Sequence, residues 1–395
     1  MKQFYKHALL TLLLGATAAT AGAATGDIIN EDFSGFTGLY ANSSTTEKNG
    51  WTVHGCATGS GLYAGGLIFG HKGTSCSNSY ITSPLFTKPT DTCNAIITFR
   101  YVNTNKDKNA SFSVTINGGG TFPDGKKNWS TTIPSGSTIF NTATLKLISV
   151  SASSYVTIKL TSKNEEYFAL DDVVISTADQ VTLRDDAAND VETKVADVTV
   201  GRTLTGGIWN TLCLPFDTRK NTIAQATGNA VEDVSLRTFS GYSDNTLTFE
   251  SADTVYAGIP FLIKLAETSV DPKFPLADLK GNITAETRTV TFNGASMTGV
   301  FDPTDIGSTG LFLTASGTLK KANSNGSTMK GLRAYFTVPS GASARLALDD
   351  DATAIRLVET TATADRWYTT DGRQLSMQPT RRGIYIRNGQ KMIIR

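Results

Sequence analysis

The segment 95–102 reads AIITFRYV, a run of β-branched and aromatic residues in which apolar and polar positions partly alternate. The same character returns in 110–116 (ASFSVTI), 155–160 (YVTIKL) and 168–175 (FALDDVVI). Turn dipeptides such as the Asn-Gly at 117–118 separate these runs, and they favour the positive φ angles of tight hairpins. Short strands with turn signals between them predict a jelly-roll β-sandwich over residues 27–176.

A second β block follows, over residues 193–350. Its most apolar runs are 209–216 (WNTLCLPF) and 257–264 (AGIPFLIK), which predict strands covered on both faces. Each run carries a proline, which a strand tolerates at an end or a bulge. The acidic stretch 177–192 between the two blocks is interpreted as a linker, either a polar joint or a short helix.

The last stretch, 365–395, predicts a small module of two hairpins. One hairpin turns at Asp371-Gly372 and the other at Asn388-Gly389. Helical periodicity is almost absent from the chain, so the predicted class is all-β. It comprises an N-terminal jelly roll, a second β-sandwich-like domain and this basic C-terminal module.

Residues 1–23 have the pattern of a secretory signal peptide. Lys2 and Lys6 precede the short apolar run 8–14, and Ala21-Gly22-Ala23 supplies the cleavage signal. The apolar run is too short for a membrane-spanning helix, which needs about 20 residues. We therefore expect an exported protein, secreted or attached to the cell surface, with no transmembrane span.

The composition excludes some classes of function. Of 395 residues, 36 are Lys or Arg and 35 are Asp or Glu, so the formal net charge is +1 and no basic field points to nucleic acid. The sequence contains neither H-E-x-x-H nor the P-loop pattern, and 294–299 (GASMTG) misses G-x-S-x-G by one residue. The prediction is that the protein is not an enzyme.

Two acidic pairs stand at the ends of the predicted jelly roll. Glu31 and Asp32 lie at its first strand, and Asp171 and Asp172 lie at its last. First and last strands of a jelly roll can be neighbours, so the four carboxylates could form a structural calcium site of hard oxygen ligands. The alternative is that one carboxylate of each pair faces solvent and no metal binds.

Exposed aromatic residues are the candidates for ligand binding. We select Tyr40, Trp129 and Tyr63, the last of which lies in the glycine-rich stretch 59–66. The alternative for each is ordinary packing in the core, which is the interpretation for Trp51.

The chain has four cysteines, Cys56, Cys76, Cys93 and Cys213. Export permits disulfides, and we favour a Cys56–Cys76 bond because three of the four lie in one early stretch. Cys213 lies within a predicted buried strand, where it would act as a small apolar residue.

Several short motifs resemble known families. The segments 30–33 (NEDF), 50–51 (GW), 79–86 (SYITSPLF) and 170–175 (LDDVVI) resemble the cleaved-adhesin domain family, a jelly roll of surface proteins of Bacteroidota. The tail, with GIYI at 383–386 and a basic last strand, resembles the C-terminal sorting domain of the type IX secretion system. The first resemblance implies calcium near the terminal strands, and the second implies contact with the secretion machinery.

Together these observations predict a non-catalytic, adhesin-like protein that binds a host or matrix protein or a glycan through its jelly-roll loops. Two alternatives remain open at this point. One is a structural surface or matrix component that assembles by β-strand pairing. The other is an extracellular hydrolase that uses carboxylates too far apart in the sequence to be recognised.

Overall fold

The computed structural model of the protein describes residues 26–40, 44–70, 78–88, 90–103, 105–161, 167–323, 325, 327–339, 344–348, 367–369, 374–375, 379–380, 382–387 and 390–394. The predicted signal peptide at 1–23 and Cys76 lie outside these residues. The chain divides into two compact units. The first comprises Met1–Val181, Lys194–Thr199 and Phe274–Asp278, and the second comprises Thr182–Thr193, Val200–Lys273 and Leu279–Arg395.

Nearly every regular element is a β-strand. The strands up to the end of the predicted jelly roll are β1 (Asp27–Glu31), β2 (Thr45–Lys48), β3 (Trp51–His54), β4 (Cys56–Thr58), β5 (Leu67–Phe69), β6 (Tyr80–Thr82), β7 (Cys93–Asn103), β8 (Ala110–Asn117), β9 (Asn128–Ile133), β10 (Asn141–Val150), β11 (Tyr155–Leu160) and β12 (Phe168–Thr177).

The later elements are β13 (Asp179–Arg184), β14 (Lys194–Gly201), β15 (Thr203–Leu204), β16 (Trp209–Leu212), β17 (Thr218–Arg219), the helix α1 (Lys220–Thr227), β18 (Val234–Ser243), β19 (Thr246–Ser251), β20 (Thr254–Val255), β21 (Phe261–Leu265), β22 (Ser269–Val270), β23 (Lys273–Leu279), β24 (Thr289–Phe292), β25 (Ala295–Val300), β26 (Thr304–Asp305), β27 (Leu311–Leu313), β28 (Leu319–Lys321), β29 (Thr328–Met329), β30 (Arg333–Thr337), β31 (Arg345–Leu348), β32 (Trp367–Thr369), β33 (Gln374–Leu375), β34 (Gly383–Arg387) and β35 (Gln390–Ile394).

The first unit is a sandwich of two six-stranded antiparallel sheets. One sheet has the order β10-β7-β12-β5-β4 with β1 also paired to β12, and the other has the order β2-β3-β6-β11-β8-β9. The core lies between them, where the Phe168 ring of the first sheet stacks on the Phe112 ring of the second at 4.7 Å. Trp51 is 1% exposed and belongs to this core, as predicted.

The first and last strands of this sandwich are neighbours. Strand β1 runs antiparallel to β12, with Asn30 opposite Val174 and Glu31 opposite Val173. The adjacency that the calcium hypothesis required is therefore present, and the positions of the carboxylates themselves decide whether a site forms.

The segment 177–192 is not a helix. It contains β13, which pairs with β14 in a three-stranded sheet completed by β23. The β-branched residues Val181 and Thr182 favour this strand over the helix that was one interpretation of the acidic, alanine-containing stretch.

The second unit is also built of β-sheets. One sheet has the order β16-β21-β18-β19-β31 and another has the order β24-β25-β30-β27-β28, and a shared core includes Phe249 and Phe336, whose rings meet edge-on at 6.1 Å. The two prolines behave as expected: β16 ends before Pro215, and β21 begins directly after Pro260.

The C-terminal residues form a four-stranded sheet of order β33-β32-β34-β35. The pairings of β32 with β33 and of β34 with β35 match the two predicted hairpins. The all-β class, with a jelly-roll sandwich, a second β-sandwich-like domain and a small hairpin module, is confirmed. Within the described part of the chain, no helix has the length and apolar character needed to cross a membrane.

Candidate functional site

The glycine-rich loop at 59–66 places Tyr63 at the surface of the first unit. The loop closes on itself, because the amide of Gly59 donates to the carbonyl of Gly66 at 2.8 Å, and a turn of 3-10 helix at Gly61–Tyr63 fills it. A Cβ on Gly59 would lie 1.9 Å from the carbonyl oxygen of Tyr63, so this position requires glycine. The hydroxyl of Tyr63, a half-buried residue, has no hydrogen-bond partner among the described residues.

Arg100 and two aspartates lie on the neighbouring strands β7 and β12. Arg100 stands directly opposite Asp171, and its NH2 group donates to Oδ2 of that carboxylate at 2.6 Å. Its Nε lies 2.5 Å from Oδ2 of Asp172, an ion pair without hydrogen-bond geometry. Asp172 occupies a bulge in β12, with a φ of 49°, which turns both carboxylates toward the one arginine.

Phe140 contacts both Arg100 and Tyr63 of the glycine-rich loop. Its ring lies under the guanidinium of Arg100, 5.0 Å from centroid to Cζ, and meets the ring of Tyr63 edge-on at 6.3 Å. We call Tyr63, Arg100, Phe140, Asp171 and Asp172 the aromatic–charged cluster.

The carboxylates of this cluster differ in their environments. Burial and the neighbouring charge of Asp172 raise the pKa of Asp171, and Arg100 opposes that rise. The side chain of Asp171 is 11% exposed, whereas those of Arg100 and Asp172 are 44% and 46% exposed. Arg100 and Asp172 therefore have surface available for a ligand.

Two strongly exposed side chains flank Phe140 and the start of the glycine-rich loop. Ile139, which precedes Phe140, is 77% exposed, and Tyr40 is 78% exposed. Leu39 pairs with Thr58 through a 3.2 Å backbone hydrogen bond, so Tyr40 emerges beside the base of the glycine-rich loop. Two of the three predicted ligand-binding residues, Tyr40 and Tyr63, thus lie at this end of the sandwich.

The third predicted ligand-binding residue, Trp129, lies elsewhere. It is in β9, at the edge of the other sheet, and its ring packs against Phe112 at 5.9 Å. The indole is half-buried against the core, so Trp129 contributes to packing and is not part of the aromatic–charged cluster.

The calcium site at the four predicted carboxylates, Glu31, Asp32, Asp171 and Asp172, stays a prediction. Among the described residues, no group of three or more His, Cys, Asp or Glu side chains could hold a metal ion. Glu31 accepts from the amide of Phe33 at 2.9 Å, Asp32 accepts from the amide and hydroxyl of Ser34, and Asp171 and Asp172 are occupied by Arg100. The single positive charge of the guanidinium lies between the two carboxylates and offsets one of their two negative charges.

Burial and hydrogen bonding shift the pKa values of Glu31 and Asp32 in opposite directions. Burial raises the pKa of Glu31, and hydrogen bonds from the backbone and hydroxyl of Ser34 lower the pKa of Asp32. Each of these carboxylates caps its own turn, which is a structural role.

Three cysteines lie in the described residues. The Cys56–Cys76 disulfide remains a prediction, because Cys76 lies outside them. Cys213 is fully buried and a free thiol, as expected, and burial raises its pKa to about 12.

Arg100 and Phe140 were missed by the sequence reasoning. Arg100 is separated from Asp171 by 71 positions, and only the pairing of β7 with β12 brings them together. The sequence offered little signal, because a strand that is covered on one face ordinarily carries charged residues such as Arg100 on its other face.

The cluster combines ring surfaces with charged hydrogen-bonding groups. Aromatic rings bind the apolar faces of a ligand, while a carboxylate accepts hydrogen bonds and a guanidinium donates them. Sites that pair a ring surface with a few convergent polar groups bind small, hydroxylated or polar ligands with a defined orientation.

No protein-family profile and no curated protein sequence matches the chain. Among solved structures, similar backbones include the K1 cleaved adhesin domain of Lys-gingipain from Porphyromonas gingivalis, at 18% identity and a TM-score of 0.26 over 38% of this chain and 96% of that one. The CBM22-1 xylan-binding domain of Paenibacillus barcinonensis Xyn10C matches at 12% identity and a TM-score of 0.26, over 40% of this chain and 97% of that one.

Larger proteins are matched only in part. The CBM22-1–GH10 modules of the Clostridium thermocellum endo-1,4-beta-D-xylanase 10B match at 10% identity and a TM-score of 0.27, over 41% of this chain and 34% of that one. The matching region therefore spans about a third of the xylanase chain.

Proposed function

We propose that the first unit binds a glycan at the aromatic–charged cluster, and that the protein acts by binding and not by catalysis. The observation that carries this proposal is the contact of Phe140 with both Tyr63 and Arg100, which puts two rings and a half-exposed guanidinium in one surface patch. A sugar ring presents apolar C–H faces and a rim of hydroxyls, and those are the two surfaces this patch complements.

The rigidity of the patch supports this function. The glycine-rich loop is fixed by four backbone hydrogen bonds between its own residues, from Gly59, Tyr63, Ala64 and Gly66. Arg100 is held by two carboxylates and a ring. A site that is ordered before binding loses little conformational entropy when a ligand arrives.

Export is part of the proposal. The pattern of residues 1–23 supports secretion, and the two-hairpin C-terminal module supports contact with a secretion apparatus, so we place the protein outside the cell, free or attached to the surface. Mass spectrometry of the protein recovered from the medium, the cell surface and the cytosol tests this, since a chain that retains residues 1–23 and remains in the cytosol would refute it.

A glycan array with the full chain tests the binding function. We expect selective binding to a subset of glycans, with the affinity reduced roughly 10-fold or more by Tyr63→Ala or Phe140→Ala, since a lost ring contact is worth about 1–3 kcal/mol. Tyr155→Ala is the matched control, because this half-buried tyrosine lies on the other sheet.

A parallel array of extracellular-matrix proteins separates the two ligand classes. Binding to proteins but to no glycan would refute the glycan proposal and favour the adhesin alternative. Hydrolysis of a bound polysaccharide by the purified protein would refute the non-catalytic part.

A further inference from the structure

The second unit contains a cavity of about 370 Å³. Its walls come from β16, β27, β29 and β30 and from the segments beside them. We call it the cationic pocket and define it by Arg202, Trp209, Phe312, Met329, Lys330 and Arg333. Its volume is within the range typical of small-molecule sites, about 300–1,000 Å³.

Positive charge exceeds negative charge around this pocket. Three of its lining side chains are cationic: Arg202, Lys330 and Arg333. Lys330 and Arg333 share one carboxylate, that of Asp185, through contacts of 3.2 Å and 2.7 Å. One carboxylate neutralises one of the three cations, so the group retains an excess of positive charge.

Arg202 is the unusual member of the group. It is 5% exposed, and its NH1 donates to the carbonyl oxygens of Thr211 at 2.8 Å and Leu332 at 2.5 Å. Its Nε is buried without a hydrogen-bond acceptor, and no described carboxylate lies within ion-pair distance of the guanidinium.

A buried cation without a counter-ion is unfavourable, because burial removes the hydration of the charge. Burial and the nearby Arg333 lower the pKa of Arg202 to about 9, and the charge of Asp185, beyond ion-pair distance, opposes this fall only in part. An anion in the adjoining cavity would supply the missing negative charge.

Apolar side chains form much of the remaining wall, beside polar ones such as Asn210, Thr314 and Ser327. Phe312 and Met329 line the cavity together with Ile306, and so does Trp209. Arg237 and Lys264 lie 5.7 Å and 6.0 Å from the centroid of the Trp209 ring, and these cation–π contacts help to hold the ring in place. The pocket thus presents charge and an apolar surface to the same occupant.

We propose that the cationic pocket binds a small organic anion, in which one carboxylate, sulfate or phosphate group is carried on an apolar or ring-shaped body. The anionic group would lie near Arg202, Arg333 and Lys330, and the body would contact Trp209 and Phe312. This site is independent of the aromatic–charged cluster of the first unit.

Calorimetric titration of the full chain with phenylacetate, phenyl phosphate and the uncharged phenylacetamide tests the proposal. We expect both anions to bind and the amide to bind roughly 10-fold more weakly or not at all, because a charged hydrogen bond is worth about 1.5–3 kcal/mol. In a ¹H–¹⁵N spectrum, the indole signal of Trp209, assigned with Trp209→Phe, should shift with the anions.

Two substitutions test where the anionic group of the ligand lies in the cationic pocket. Arg333→Gln should weaken binding of the anions about 10-fold, and Lys330→Gln, whose side chain is 60% exposed, should weaken it less. Lys320→Gln is the control, since this exposed lysine lies on β28 and does not line the cavity.

The proposal is overturned if neither anion binds or if phenylacetamide binds as tightly as phenylacetate. It is also overturned if Lys330→Gln and Arg333→Gln both leave the affinity unchanged. The relative affinities of phenylacetate and phenyl phosphate show whether the pocket prefers a carboxylate or a phosphate group. These titrations do not depend on glycan binding by the first unit.

Discussion

Replacement of Arg100 by methionine is the sharpest perturbation of the aromatic–charged cluster. The substitution keeps most of the side-chain stem and removes the guanidinium, which contacts Asp171, Asp172 and Phe140. It leaves Asp171, with 11% of its side chain exposed, beside a second carboxylate and without a cation.

The magnitude follows from these contacts. Loss of the partner of a buried charged group costs about 1–3 kcal/mol of unfolding free energy, and loss of the cation–π contact costs about 0.5–1 kcal/mol. Asp172 is 46% exposed, so solvent screens most of its contribution. For a unit of this size the melting temperature falls by roughly 2–4 °C for each kcal/mol.

The pH dependence of stability separates the contribution of the Arg100–Asp171 ion pair from that of the Arg100–Phe140 cation–π contact. The pKa of Asp171 is raised in the folded protein from an ordinary value of 3.8, so the folded state binds its proton more tightly than the unfolded chain. Stability is therefore lost as pH rises through the raised value and regained as pH falls toward the unfolded value. Because Arg100 opposes the rise, its removal widens this window.

Differential scanning calorimetry at pH 7 and pH 4 measures how far Arg100→Met lowers the melting temperature at each pH. We expect Arg100→Met to lower the melting temperature more at pH 7 than at pH 4, because protonation of Asp171 at pH 4 removes part of the cost. Lys126→Met, at an exposed pair with Asp124, should leave the melting temperature unchanged. An equal loss at both pH values would refute the assignment of the cost to Asp171.

Three further predictions concern the loop, a cysteine and calcium. Gly59→Ala should displace the glycine-rich loop, because its Cβ would lie 1.9 Å from the carbonyl oxygen of Tyr63, and should lower both the melting temperature and glycan affinity; an unchanged affinity would show that the loop does not position the site. At pH 8 the buried thiol of Cys213, with its pKa raised to about 12, should react with a thiol reagent only after unfolding, as peptide mass spectrometry can show. The half-buried Cys93, whose pKa is also raised by burial and by Asp197, should react slowly in the native protein, and native labelling of Cys213 would contradict its burial. Because Arg100 already pairs with both Asp171 and Asp172, the melting temperature should be the same in EDTA and in calcium, and a rise with calcium would support the metal hypothesis.

The strands of the first unit were predictable because their residues carry the information locally. The run 95–102 alternates well enough to place β7, and Trp51 is large and apolar enough to be assigned to the core. Even the contact of the first strand with the last followed from the fold class.

The site was predictable only in part, for a physical reason. Tyr63 stood out as an aromatic residue in a glycine-rich loop, and Asp171 and Asp172 stood out as an acidic pair. Their shared partner Arg100 and the connecting ring of Phe140 depend on strand register and on a bulge, and neither feature is a property of a local stretch of sequence.

Hydrogen–deuterium exchange of the full chain, with and without the tightest glycan from the array, tests the central claim most directly. The account predicts that the glycan slows exchange in peptides covering 59–66 and 134–140 and leaves the edge strand β9 unchanged. Protection confined to other segments, or none at a saturating glycan concentration, would contradict it.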